Sequence, residues 1–275
     1  PPRSTLFPYT TLFRSGQPGA EYVDTRGNNV FAQDDADGND TGGSRPSGGL
    51  DLVFDFPFNT TQAPSSYRSA ATTNLFYWSN ISHDIFFQYG FTEVAGNFQQ
   101  LNYSGEGLGG DPVIADSQDL DPNGYGPRIW VPPDGLSPRM QMTIFTAPNP
   151  DRDSDMESAV IVHEYGHGVS TRLVGGPSNV DSLSAQQSGA MGEGWSDYFS
   201  LAFTQKPTDG MNDSYYIGAY VTNNPAGIRN YPYSFDLVAD PRSYGDYNTS
   251  PEVHDAGEIW GSALWDLHWL LIQRY

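Results

Sequence analysis

The sequence predicts an α+β fold in two lobes, strand-rich over residues 16–152 and mainly helical over residues 153–275. Between the lobes lies one helix carrying His163-Glu164-Tyr165-Gly166-His167. Three observations lead there. Residues 16–59 are rich in Gly, Asp, Asn, Ser and Pro with scattered aromatics, and residues 99–145 return to loops and short strands. From Asp153 onward the apolar residues fall mainly at helical spacing. The HExxH run itself, preceded by Ala159-Val160-Ile161-Val162, lies inside a strong helical pattern.

Residues 1–15 are set aside, because Thr5-Leu6-Phe7-Pro8-Tyr9-Thr10-Thr11-Leu12-Phe13-Arg14-Ser15 reads as the translation of a common short-read sequencing adapter. The natural start is then missing, and the lack of a signal sequence says nothing about export. Asp34-Asp35-Ala36-Asp37-Gly38-Asn39-Asp40 has the composition of a calcium loop without its spacing or distal Glu, so a solvated turn is expected, with calcium the other reading. Residues 50–56 have the length and residue types of a strand. Residues 67–89 form a long helix, with Ala71, Leu75, Trp78, Ile81, Ile85 and Tyr89 at helical spacing and Gly90 ending it. His83-Asp84 within it reads as a packing pair. Gly105 to Gly110 is a flexible break, and residues 140–145 read as a strand beside the HExxH helix.

That helix starts at a capping box, Ser154-Asp155-Met156-Glu157, and stops after Leu173 at Gly175-Gly176-Pro177. Residues four apart share a helix face, so His163 and His167 aim two imidazoles at one point. Two neutral imidazoles so spaced suit zinc, and Glu164 between them can reach a water on the metal. Gly192-Glu193-Gly194-Trp195-Ser196-Asp197 opens a second helical run with Glu193 and Asp197 four apart. A catalytic zinc site takes three protein ligands and keeps one open position, which His163, His167 and Glu193 satisfy. Asp197 is then placed to hold a ligand imidazole from behind. Residues 211–247 mix turns and short segments around a notable charge, Arg229. Residues 252–275 are amphipathic, with Val253, Ile259, Ala263, Leu264, Leu267, Leu270 and Leu271 apolar. This last run breaks off at Tyr275 without a stop signal, so the chain reads as truncated at both ends.

His163-Glu164-Tyr165-Gly166-His167-Gly168, followed by Arg172-Leu173 and Gly175-Gly176-Pro177, resembles the fungalysin family of secreted zinc metallopeptidases. So do Gly189-Ala190-Met191-Gly192-Glu193-Gly194-Trp195-Ser196-Asp197, Gly227-Ile228-Arg229-Asn230-Tyr231-Pro232-Tyr233-Ser234 and Glu252-Val253-His254-Asp255-Ala256-Gly257. Upstream, Arg26-Gly27-Asn28-Asn29, Ala95-Gly96-Asn97-Phe98 and Pro132-Pro133-Asp134-Gly135 also fit, so the resemblance runs from about Tyr22 to the last residue. One stretch departs. Where the family carries an Asn-Ala-Asn-like segment along its cleft, this chain has Tyr125-Gly126-Pro127-Arg128-Ile129-Trp130, and the family's substrate preference is not carried over.

The resemblance implies a two-lobed, thermolysin-like zinc endopeptidase that is secreted, monomeric and made with an inhibitory N-terminal pro-segment. It implies peptide or protein substrates, contact of Arg229 with the substrate backbone, and His254 as the donor that meets the oxyanion. Glu164 would take a proton from the attacking water and pass one to the leaving amine. Removing an oxyanion donor such as His254 typically costs about two to three powers of ten in rate. Two other readings stand beside this one. A zinc aminopeptidase would need a carboxylate for the substrate's free amine, and no dedicated motif supplies it. A non-catalytic extracellular binding module sits uneasily with an intact base and ligand set.

Composition bounds the rest. The 275 residues can bury a sizeable core, contain no cysteine, and hold no apolar run long enough to cross a membrane. A net charge of -20 repels nucleic-acid phosphates. Triplets such as Asn59-Thr60-Thr61 and Asn80-Ile81-Ser82 are weak signals of glycosylation in a chain so rich in these residues. Lys206 is the only lysine and Asp greatly outnumbers Glu, the pattern of a surface suited to high salt and a marine or saline source. The melting temperature should therefore hold or rise between low salt and molar sodium chloride. A fall in a thermal scan would remove that reading.

Overall fold

The computed structural model describes residues 22–249 and 252–275; the segment 1–15 lies outside them. Its strands, among the described residues, all precede residue 154 and form one mixed sheet: β1 (Val30–Asp34), β2 (Val113–Asp119), β3 (Arg128–Trp130), β4 (Arg139–Phe145) and β5 (Arg152–Asp153). Strands β1, β2 and β4 run parallel in that order, β3 lies antiparallel along the outer side of β4, and β5 pairs with the last residues of β4. Parallel neighbours need a crossover, and helix α1 (Arg68–Gln88) lies in the chain between β1 and β2. Val30 opposes Val113, and Ala32 opposes Ala115, which in turn opposes Met140. These side chains are wholly buried.

Helix α1 adds Leu75, Phe76 and Phe86 to that core, and the HExxH helix α2 (Ser158–Val174) adds Val160, Ile161, Tyr165 and Val169. Helices α3 (Gln186–Thr204) and α4 (Val253–Arg274) follow, α3 packing on α2 and α4 packing on α3. A smaller core of Leu201, Ile217, Tyr233, Trp265 and Trp269 fills the space they share with residues 211–235. Near the end of α2 the fully buried Arg172 gathers two loops. Nε donates to the Pro132 carbonyl at 2.8 Å, Nη1 to Gly96 at 2.9 Å and Nη2 to Leu136 at 3.2 Å, with the guanidinium over the Phe98 ring. The upstream motifs around Gly96 and Pro132 thus converge on one cation at a helix C-terminus, where positive charge is favoured.

Four sequence expectations are corrected here. Residues 50–56 do not form a strand: a turn at Gly49 leaves Leu52 left-handed (φ 52°), and the Leu52 and Val53 N–H groups bond locally to Gly49 and Gly48. The capping box is absent. Asp153 instead caps a short 3-10 turn over Ser154–Met156, and Glu157 sends its carboxylate across to the Gly218 and Val221 N–H groups at 2.8 and 2.9 Å. On α1, Tyr89 is exposed, and the buried face runs through Thr72, Ser79, Asn80 and His83. Thr72 bonds to Ser117 and Asn80 to Asn29, and Asn80 and Ser82 of the triplet are buried.

On α4 the apolar stripe read from the sequence is largely outward. Ala263, Leu267, Leu270 and Leu271 are exposed, while Ala256, Gly257, Gly261, Trp265 and Trp269 face inward. Small residues let that face approach α3 more closely than leucines would, and hydrophobicity alone cannot rank the two sides. His83 is buried, with Nδ1 2.9 Å from Asp84, as a packing pair should be.

Asp119, buried at the end of β2, gives a pH-dependent test. Burial, then the nearby Asp35 and Asp116 carboxylates, push its pKa to about 7 against the pull of Arg128. Because the folded pKa lies above the unfolded value of about 4, the folded state binds the extra proton. Its contribution therefore favours folding at acid pH and is lost as pH rises through about 7. Asp119→Asn should gain stability relative to the parent at pH 8 more than at pH 4.5. Equal differences in urea midpoint at the two pH values would refute this.

Candidate metal centre

Helix α2 is buried on nearly every face, so its polar side chains must find partners inside the protein. His163 and His167 project from one side of it toward Glu193 on α3. His163 Nε2 lies 3.0 Å from His167 Nε2 and 3.1 Å from Glu193 Oε2, and His167 Nε2 lies 3.5 Å from the same oxygen. The three ligand atoms all fall within 4.8 Å of one another. Ligands about 2.0–2.1 Å from a tetrahedral ion stand roughly 3.3 Å apart, so this triangle has the size and the N,N,O donor set for such an ion.

The tautomer is set from behind. Asp197, one helical turn past Glu193, receives the His163 Nδ1–H at 2.7 Å, which leaves Nε2 as the lone-pair face toward His167 and Glu193. Burial opposes charge on His163, but Asp197 and Glu193 overcome it and hold its pKa near 10. Metal binding at Nε2 therefore releases a proton. Burial likewise opposes ionisation of Glu193, yet His167 and His163 keep its carboxyl well below the usual range. Asp197 is held low in the same way, burial being outweighed by Arg229 and His163.

Glu164 is buried beside the triangle. Burial raises its pKa, partly countered by His163 and His167, whose charges it senses together with those of Glu193 and His254. A base that holds its proton more readily than a free carboxylate is suited to accepting one. His254 stands at the start of α4, its side chain 49 % exposed, with Nε2 3.4 Å from Glu193 Oε2 and Nδ1 2.7 Å from Glu252 Oε1. Glu252 also caps α4 by accepting from the His254 and Asp255 N–H groups. Helices α3 and α4 come this close because Gly194 faces Gly257. A Cβ on Gly257 would stand 2.6 Å from the Glu193 Cβ, and one on Gly194 would stand 2.6 Å from the Gly257 carbonyl.

Arg229 is turned toward Asp197. Its Nε and Nη2 form a fork on Asp197 at 2.6 and 2.8 Å, and its side chain is nearly all buried. Glu258, four residues after His254, pairs with Arg242 at 2.9 Å and accepts from the Asn230 N–H at 2.8 Å. In the acidic loop, Asp35 and Asp40 come together with Asp119. Asp35, itself buried, accepts from the Asn39 and Asp40 N–H groups. Strand β3 leaves its outer edge unpaired among the described strands, with Trp130 exposed. Ile129 lies across from Gly168 of α2, which sets this edge beside the metal helix. Two residues escaped the sequence reading. Glu252 is not one of the usual capping types, and Tyr233, whose hydroxyl reaches Asp197, sat inside a motif read only for its arginine.

An α+β chain that brings HExxH histidines and a later helical glutamate to one point belongs to the class of proteins built to hold a transition metal at a HExxH helix. Within that class its family is definite: the fungalysin metallopeptidase (M36) family model matches residues 9–275, and the chain belongs to it. That match begins inside the segment set aside above. Extracellular metalloproteinase 5 of Trichophyton tonsurans is 43% identical over 256 residues, covering 92% of this chain and 42% of the relative. Extracellular metalloproteinase 3 of Trichophyton soudanense is 43% identical over 263 residues, covering 93% and 66%. The chain thus spans less than half the length of the first of these relatives. The precursor of protealysin, a metalloproteinase from Serratia proteamaculans, is 16% identical with a TM-score of 0.46, over 85% of this chain and 66% of that one.

The ligand set predicts a stoichiometry. Purified chain should carry one metal equivalent by elemental analysis, and Glu193→Ala should carry little. Equal metal content in the two would exclude Glu193 from the set.

Proposed function

We propose that this chain is the catalytic part of a secreted zinc endopeptidase that hydrolyses internal bonds of proteins and peptides. The observation that carries the reading is the triangle of His163 Nε2, His167 Nε2 and Glu193 Oε2 with the buried Glu164 beside it. Zinc is the metal the donor set favours: two imidazoles and one carboxylate suit it, and it supplies a Lewis acid and an acidified water near neutral pH. Calcium, an oxygen-seeking ion, does not suit this site.

Within that reading His163 and His167 offer neutral nitrogens and Asp197 holds the first of them in register. Glu164 accepts the proton of the attacking water and later delivers one to the departing amine. His254, half-exposed and within 3.4 Å of Glu193, meets the oxyanion formed at the scissile carbonyl. Arg229 acts chiefly through Asp197, leaving Nη1 as the nitrogen not engaged there for a substrate carbonyl. An extended peptide laid along the free edge of β3 would pair by backbone hydrogen bonds and pass Trp130. The strand-rich part over residues 16–152 and the helical part over residues 153–275 are the two thermolysin-like lobes.

Secretion is supported by the relatives, which are named extracellular metalloproteinases. No helix among the described residues is long and apolar enough to cross a membrane. A pro-segment that blocks the site before export, and a monomeric enzyme, complete the proposal.

Glu164→Gln should retain zinc and lose casein hydrolysis by about 10²–10⁴-fold, whereas His167→Ala should lose both. Substantial hydrolysis by Glu164→Gln would overturn the assigned base. Internal fragments from a long peptide separate this activity from stepwise trimming of its amino end.

A further inference from the structure

We infer that Tyr233 is a positioning residue for the metal ligand His163, acting through Asp197. The inference rests on the metal set proposed above. Asp197 is 1 % exposed, and each of its oxygens accepts two hydrogen bonds. Oδ1 takes His163 Nδ1–H at 2.7 Å and Arg229 Nη2–H at 2.8 Å, and Oδ2 takes Arg229 Nε–H at 2.6 Å and the Tyr233 hydroxyl at 2.5 Å. Four donors fill the lone-pair sites of a carboxylate. The arginine fork aligns Asp197 in the guanidinium plane but leaves it free to pivot about the axis joining the two groups. The Tyr233 hydroxyl, four residues further along the same segment, adds a second donor at Oδ2 and closes that freedom, so Oδ1 stays under the imidazole.

Tyr233 is itself firmly seated. Its backbone exchanges hydrogen bonds with Tyr215 in both directions, at 3.0 and 2.9 Å, and its ring lies in the small core with Leu201, Ile217, Trp265 and Trp269. Gly261 of α4 provides the seat. A Cβ there would stand 2.8 Å from the ring's Cε1 and 2.9 Å from the hydroxyl oxygen. The packing of α4 is thereby linked to the aim of a metal ligand on α2. Neither α2 nor α3 alone carries enough groups to orient Asp197 in this way. Partners behind a metal ligand typically affect metal affinity by about 10–100-fold when removed.

The test is zinc affinity of the whole chain, read by competition with a chromogenic chelator. Tyr233→Phe should weaken zinc about tenfold while thermal unfolding of the metal-free protein stays close to the parent. In an Asp197→Asn background the same change should add less than about twofold, because the hydroxyl acts only through that carboxylate. Affinity of Tyr233→Phe within twofold of the parent overturns the inference, as does a full tenfold loss that persists without Asp197. A parent chain that binds no zinc would instead overturn the metal reading. Should the phenylalanine variant not fold, Gly261→Ala displaces the ring and carries the test. Weakened zinc with Tyr233 intact supports the link, and unchanged affinity overturns it.

Discussion

Burying the HExxH helix on almost all sides is the constraint from which the rest follows. A helix in that position cannot turn most of its polar side chains to water, and several of them are met by distant parts of the chain. His163 is met by Asp197, Arg172 by three loop carbonyls, and Glu157, at the helix start, by two N–H groups of residues 218–221. Every one of these links spans a large sequence separation. The site is therefore held by contacts from many parts of the fold.

The same constraint organises the electrostatics. The chain is strongly acidic overall, yet its few cations are spent where carboxylates are buried: Arg229 on Asp197, Arg172 beside Asp111, Arg242 on Glu258 and Arg139 on Asp116. Arginine suits this work, since its fork meets both oxygens of a carboxylate and its charge persists under burial. The two acids nearest the histidines are kept ionised, while Glu164 is pushed the other way by the same burial. Three carboxylates within a small volume are thus tuned in different directions by the same surroundings.

Sheet and helices meet around this point with little waste. The register of β1, β2 and β4 turns one buried face toward α1 and α2, and the edge left over at β3 runs beside the metal helix. Glycines at the α3–α4 crossing bring Glu193 and His254 into one neighbourhood. Small residues here set distance rather than flexibility.

The sequence by itself determined the helix of the site and the shared face of His163 and His167, because a spacing of four on a helix is a purely local rule. The long helix of residues 68–88 and the strand at residues 139–145 were legible for the same reason. What depended on distant partners was not. Residues 50–56 carry strand-forming side chains but spend their backbone bonds in a local turn. The leucines of α4 are more apolar than its glycines, yet the glycines face inward, since the approach of α3 rewards lack of bulk. Arg229 could be read as a charge of interest, but only folding shows that Asp197 claims two of its nitrogens. Tyr233 gave no signal of its own. Local rules name the side chains that can bind and react, and tertiary packing decides which of them meet, because meeting depends on distances that no single stretch of chain contains.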